Sequence, residues 1–295
     1  MGSDAEVIQD YLPDRAGAWD DMVTRSVNGT ILHTRRYLSY HGDRFADRSL
    51  VITNPRGWPI GVLPAAEDPA DASVVSSHPG LTYGGLVHDG SLRGAAMMRA
   101  LTAVAGHYQA LGYVTLRYKA LPSIYQSAPA ADDLHVLFRL GAARSGCHLA
   151  AAICLARRGK VASSRRQRRK GAEAAGVRVE EGWAHIAGYW DMLEGNLAGR
   201  HGASPTHSLP EIEDLHDRFP KEVILVTAWL GDDLVAGNLF TVEGPVLMVR
   251  YTATTRRAGP CPPPTWWSSA ASAWPPSWAA GTSRSAPALC AGAWN

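Results

Sequence analysis

Four groups of residues carry side chains able to do chemistry. Arg200, His201 and His207 stand at the end of a helical stretch and in the loop after it, where an imidazole titrating near neutrality can take a proton from an incoming nucleophile. A histidine at a helix C-terminus is equally suited to offset the helix dipole. Two strand segments follow: Arg117, Tyr118 and Lys119 in the first half, Arg250 and Tyr251 in the second. Alternation along a strand sends only some of them inward. Tyr251 reads either as a hydroxyl beside a cleft or as a core-edge tyrosine whose hydroxyl is hydrogen-bonded, and the second is the simpler reading. In the stretch Ser77 to Leu86, Gly80, Gly84 and Gly85 permit positive φ and close approach to the backbone, while His78 and Tyr83 add polar tips able to orient a substrate. The plain alternative is a tight turn between strands. The last group is the run Arg165, Arg166, Arg168, Arg169 and Lys170, able to meet several phosphates or simply to form a solvated face. Helical spacing lets only part of that run share one face, and no aromatic is interleaved for base stacking.

Other chemistries lack their signatures. The chain has no GxSxG elbow, HExxH helix, phosphate-binding Walker loop or metal-spaced Cys/His cluster, so a metal enzyme is not expected.

The elements that must position these residues repeat in order. In the first half, Leu50 to Thr53 reads as a strand, Asn54 to Pro59 as a turn and Ile60 to Ala65 as the returning strand. The chain continues through Leu81 to Val87 and an Asp89-Gly90-Ser91 helix-start signal. A helix then places Met97, Leu101, Val104, Tyr108 and Leu111 on one face, before Gly112 and a strand from Val114 to Lys119. The second half begins with the basic helix, Ser163 to Ala175, and the strand Val177 to Glu181. A helix with Trp183, Ile186, Trp190, Leu193 and Leu197 on one face comes next, then a shorter helix from Leu209 to Phe219. A meander completes it: Val223 to Leu230, Leu234 to Val242 with Gly237 inside, and Val246 to Ala253.

Composition breaks after Arg257. Residues 258–295 contain no acid and no lysine, a single arginine at Arg284, and five of the chain's ten tryptophans. Read one base earlier, GC-ending codons for this stretch permit helix-like strings, so a shifted reading frame explains it better than a low-complexity tail, which is normally rich in charge, serine or glycine. The expected organisation is a first half over 1–145, a truncated second half over 146–257 and an aberrant, disordered tail over 258–295.

A chain of 295 residues with 46% apolar content can bury a real core, and a net charge of +2 argues against wholesale nucleic-acid binding. The N-terminal stretch to Asp14 lacks a secretory pattern and no run of about 18 apolar residues occurs, so a cytoplasmic protein without a membrane span is expected. Cys147, Cys154, Cys261 and Cys290 show no pairing rhythm and read as bystanders.

Helix, meander, helix, strand is the order of the GNAT acyltransferase unit, and two copies in one chain are similar to the FemABX transferases. The segments Ser77 to Leu86, Asp132-Asp133-Leu134 leading to Phe138 to Ala142, Arg165 to Gly176, Arg200-His201-Gly202 and His207-Ser208 resemble the bacterial FemAB-like acyltransferases over roughly residues 15 to 257. Relatives continue with an amphipathic helix, a short aromatic-Asp-aromatic-Gly strand and an Asn-Glu-Gly segment, none of which is found here. The resemblance implies an α+β fold of two tandem GNAT-like α/β halves, each a mostly antiparallel sheet flanked by helices, the second incomplete. It also implies N-acyl transfer from an acyl-CoA such as acetyl-CoA, or from an aminoacyl-tRNA, to an amine of a cell-envelope or secondary-metabolite precursor, without a metal. His201, His207 and Tyr251 are then the catalytic candidates. His78, Gly80, Tyr83, Gly84, Arg117, Lys119, Arg165, Arg166, Arg169, Lys170 and Arg250 are the binding candidates. In that frame Arg256-x-x-Gly259 lies where GNAT enzymes cradle the donor pyrophosphate, although a plain surface turn is the simpler reading. The alternatives are an inactive truncated pseudoenzyme, or an RNA- or phosphate-binding module working through Arg165 to Lys170, with tRNA as the partner.

Overall fold

The structure is a computed structural model describing residues 6–157, 159–255 and 288–291; the side chains of Arg200, His201 and 288–291 are outside that description, as is the Arg256 to Gly259 motif. The chain divides after His148 into two units.

In the first unit the elements run β1 (Val7–Asp10), α1 (Ala16–Thr24), α2 (Arg35–Leu38), β2 (Leu50–Thr53), β3 (Pro59–Leu63), β4 (Ala66–Asp68), β5 (Asp71–Ser76), β6 (Val87–His88), α3 (Ala95–Ala110), β7 (Thr115–Arg117) and α4 (Asp132–Arg139). Strands β1-β2-β3-β6 form an antiparallel sheet, and β4-β5-β7 a second one in which β5 and β7 run parallel. A parallel pair needs a crossover, and α3 is part of it. Met97, Leu101, Val104 and Tyr108 of α3 are buried against Leu50, Ile52, Leu63 and Val75, as their spacing predicts.

Two expectations differ. Leu111 is 53% exposed, because the helix ends at Ala110 and Gly112 turns the chain at φ 91°. Asp89 does not start α3: its carboxylate accepts from the Ser91 backbone and hydroxyl at 2.9 and 2.6 Å, and Asp132 takes the Gly94 N–H at the true helix start, 2.8 Å away. Of the stretch Leu81 to Val87 only Val87 is in a strand, β6 with His88, and the residues before it are bent through Gly85 at φ 85°.

The second unit carries β8 (Ala151–Cys154), α5 (Ser163–Ala174), β9 (Val177–Glu181), α6 (Ile186–His201), α7 (Leu209–Arg218), β10 (Val223–Leu230), β11 (Asp233–Glu243), β12 (Val246–Thr254) and β13 (Ala288–Ala291). They build a six-stranded sheet in the order β8-β13-β12-β11-β10-β9. Every pair is antiparallel except β12 with β13, so the parallel pair of the first unit has a counterpart here. β13 comes from the segment expected to be disordered, and it fills the sheet position between β12 and β8. The rest of that segment lies outside the described residues. Ile186, Trp190 and Leu193 of α6 are buried as their periodicity predicts. Trp183 instead precedes the helix in a 3-10 turn, where its indole stacks on the His216 ring at 3.7 Å. A capping box opens α7, with the Glu211 carboxylate accepting from the Ser208 backbone and hydroxyl at 2.7 and 3.0 Å.

Candidate functional site

In the second unit the register of β12 against β11 slips once. Leu239 faces Tyr251 and Phe240 faces Val249, so Arg250 is the extra residue of a β-bulge. Strict alternation would send Arg250 and Tyr251 to opposite faces; the bulge gives both to the face covered by α6. Arg250 donates from Nε to the Thr241 hydroxyl at 3.0 Å and from Nη2 to the Glu243 carboxylate at 2.8 Å. Glu243 is fully buried, so Arg250 is committed to neutralising it and serves the sheet before any ligand.

Tyr251 is held from three sides. Its carbonyl accepts from the Tyr189 hydroxyl at 3.0 Å, its ring meets Trp190 edge-on with centroids 5.6 Å apart, and its hydroxyl lies 2.7 Å from Nδ1 of His207. The His207 backbone N–H donates to the same phenol oxygen at 3.3 Å. Burial raises the Tyr251 pKa against the opposing hydrogen bonds from Thr206 and His207, which keeps the phenol protonated at neutral pH. Two catalytic candidates from separate parts of the sequence thus form one pair. His201 is the last residue of α6, and its side chain is outside the described residues.

The described pairing of β13 with β12 covers Val246 to Val249 and ends where the bulge begins. In the first unit the corresponding parallel pair, β5 with β7, is followed by closure. The Ser77 N–H donates to the Arg117 carbonyl at 2.9 Å, the Lys119 N–H to the Ser77 hydroxyl at 2.7 Å, and the Gly84 N–H to the Lys119 carbonyl at 3.0 Å. Lys119 Nζ then donates to the carbonyls of His78, Pro79 and Leu81 at 3.2, 3.0 and 2.9 Å. Desolvation lowers the lysine's pKa.

The structure gathers His78, Gly80, Tyr83, Gly84 and Lys119 into this one knot, but protein atoms occupy the room the glycines make. A Cβ on Gly80 would strike the His41 and Phe45 rings, and one on Gly84 the Ser77 carbonyl. His78 is buried at φ 65°, with Nδ1 lacking a hydrogen-bond partner. Its pKa falls to about 3, by burial first and by the neighbouring His41 second. Tyr83 is buried as well, donating its hydroxyl to Thr30 at 3.3 Å. Thr30 sits 3.2 Å from Nδ1 of His33, whose Nε2 faces the Gly84 carbonyl at 3.3 Å. Arg117 is half-exposed and ion-paired with Asp68.

No family model and no curated protein sequence matches the chain. Solved structures do. FemX aligns over 96% of this chain and 88% of its own at 11% identity, TM-score 0.57. L-PGS from Bacillus licheniformis covers 96% and 76% at 10% identity, TM-score 0.55. A tandem GNAT protein from the clavulanic acid biosynthesis pathway covers 97% and 88% at 16% identity, TM-score 0.51. The chain has the FemAB-like GNAT acyltransferase fold.

Within this GNAT fold the basic run stands apart from the Tyr251 pair. α5 leads into β9, the edge strand separated from β12 by β11 and β10, and Arg165, Arg166, Arg169 and Lys170 are all exposed. Arg169 alone among them has an ion pair, with Glu173 at 3.5 Å. Sequence reasoning missed Tyr189, Glu243 and Asn196, whose side-chain oxygen takes the Thr254 N–H at 3.2 Å. One signal pointed to Tyr189. Gly237 inside a strand marks a close approach, and a Cβ there would collide with the Tyr189 ring. No helix among the described residues is long and apolar enough to cross a membrane.

Proposed function

We propose that the second unit transfers an acyl group from an activated ester or thioester to an amine, with His207 as the base and Tyr251 as its partner. The observation that carries this reading is the 2.7 Å contact between His207 Nδ1 and the Tyr251 hydroxyl, set beside a bulge in a GNAT-type sheet. With Nδ1–H donated to the phenol oxygen, Nε2 carries the lone pair. The amine attacks the acyl carbon, Nε2 takes the ammonium proton, and the tetrahedral adduct collapses with loss of the thiolate or alkoxide. The imidazolium gives that proton to the leaving group, which restores neutral His207. Tyr251 stays neutral and fixes the ring; burial favours that state.

The donor we favour is an acyl-CoA. Its extended, amide-bearing arm suits the β12 segment beyond the bulge, outside the described pairing with β13, where a strand-like ligand can add to the edge. An aminoacyl-tRNA lacks such an arm. The first unit, with its corresponding gap sewn shut by Lys119, serves as scaffold.

The test is a thermal shift with acetyl-CoA and with aminoacyl-tRNA, followed by labelled-acyl transfer to a panel of amines. A shift with acetyl-CoA and transfer that Tyr251→Phe weakens support the reading. Absence of any shift, or transfer unaffected by both Tyr251→Phe and His207→Gln, overturns it.

A further inference from the structure

The helix α5 has twelve residues and buries none of them, although every other helix of eight or more residues has buried side chains on one face. Its sequence is Ser163-Ser164-Arg165-Arg166-Gln167-Arg168-Arg169-Lys170-Gly171-Ala172-Glu173-Ala174. At 3.6 residues per turn the five cations sweep an arc of about 200°. Ser163, Ser164, Gln167, Gly171 and Ala174 fill the remaining arc. The side chains of Arg165, Arg166, Arg168 and Lys170 make no hydrogen bond or ion pair among the described residues, and only Arg169 meets a carboxylate. The chain as a whole carries only +2, so this is a local concentration of charge and not a property of the surface at large.

We propose that α5 is a docking element that lies in the major groove of duplex DNA and grips the phosphates on both sides. The charge is complementary to a polyanion, and three features select this one. An arc of about 200° cannot meet a flat anionic lipid surface all at once, whereas a groove places phosphates on both flanks of the helix. The helix has no apolar side chain larger than alanine to enter a bilayer interface, and no aromatic on which the bases of a single strand would stack. A helix roughly 10–12 Å across fits the roughly 12 Å major groove of B-form DNA, whereas the corresponding groove of A-form RNA is deep and narrow. The contacts go to phosphates, so binding is independent of sequence. This surface works separately from the Tyr251 site and does not rest on acyl transfer.

The experiment measures binding of the full chain by fluorescence anisotropy to a short DNA duplex, the same duplex as RNA, its single strand, and phosphatidylglycerol vesicles, each over a salt series. DNA duplex is expected to bind tightest, with log K falling against log salt at a slope of about −4.5 for five phosphate contacts. The variant carrying Arg165→Gln, Arg166→Gln, Arg168→Gln and Lys170→Gln is expected to drop that slope to about −1 while melting with the parent protein. Arg166→Gln alone, with a slope about one unit shallower, serves where the fourfold variant fails to fold. Tighter binding to RNA, single strand or vesicles, or an unchanged slope in the variants, overturns the proposal.

Discussion

The Tyr251 hydroxyl and Nδ1 of His207 meet at 2.7 Å although 44 positions separate them in the chain. One comes from β12, the other from the loop between α6 and α7. Tyr251→Phe keeps the ring packing on Trp190 and deletes the hydroxyl's contacts with His207 and Thr206. Transfer should fall by about 10- to 100-fold, with the acidic limb of the pH–rate profile displaced because the imidazole loses its partner. Steady-state rates across pH, compared with His207→Gln, check this.

Lys119 holds three carbonyls that no other side chain is shown to reach. Lys119→Met leaves them without their charged donor, and the loss should be about 2–4 kcal/mol in chemical denaturation. Lys119→Arg should not restore it, because a planar fork cannot converge on three oxygens as an ammonium does. Full stability in both variants would remove the lysine's structural role.

Gly237 lies under the Tyr189 ring, with no room for a side chain between them. Gly237→Ala should cost about 1–3 kcal/mol by overpacking. In a double-mutant cycle, Tyr189→Ala should absorb most of that penalty, because the ring that the added methyl would strike is then gone. Additive effects would place the cost elsewhere.

Stability should also fall in mild acid. Burial lowers His33 to about 4 and His78 to about 3, while the unfolded chain titrates near 6.5. The folded protein therefore refuses protons that the unfolded chain accepts. The stabilisation is complete above the unfolded pKa and is lost as pH drops through about 6 towards 4, at about 1.4 kcal/mol per pH unit for each histidine. Asp133, raised chiefly by burial, works in the opposite sense, losing stability as pH rises. Urea unfolding at several pH values should show the acid slope, and His78→Asn, which tolerates the positive φ, should shallow it by one proton. An unchanged slope would mean that His78 is not a buried neutral group.

Local order is the legible part. The α3 face of Met97, Leu101, Val104 and Tyr108 follows from a 3.6-residue period, and the β10-β11-β12 meander follows from glycine-bearing turns between apolar runs. Both depend on residues within a turn or a hairpin of one another. The segments β1, α1, β4 and β5 are too short or too weakly patterned to be read in that way. In the candidate site, His207 and Tyr251 are each recognisable as candidates, but not as partners. Gly80 and Gly84 read as making room for a ligand, and the structure fills that room with His41, Phe45 and the Ser77 carbonyl.

By itself, then, the sequence determined the strongly patterned elements, such as α3, α6 and the β10-β11-β12 meander, and which side chains carry chemistry, because period and turn chemistry act over a few residues. Tertiary structure alone decided that Arg250 is a bulge and serves Glu243, that His207 reaches Tyr251, and that Lys119 closes a turn around His78. A register slip and a long-range hydrogen bond are settled by neighbouring strands and by the packing of α6. No local pattern encodes either.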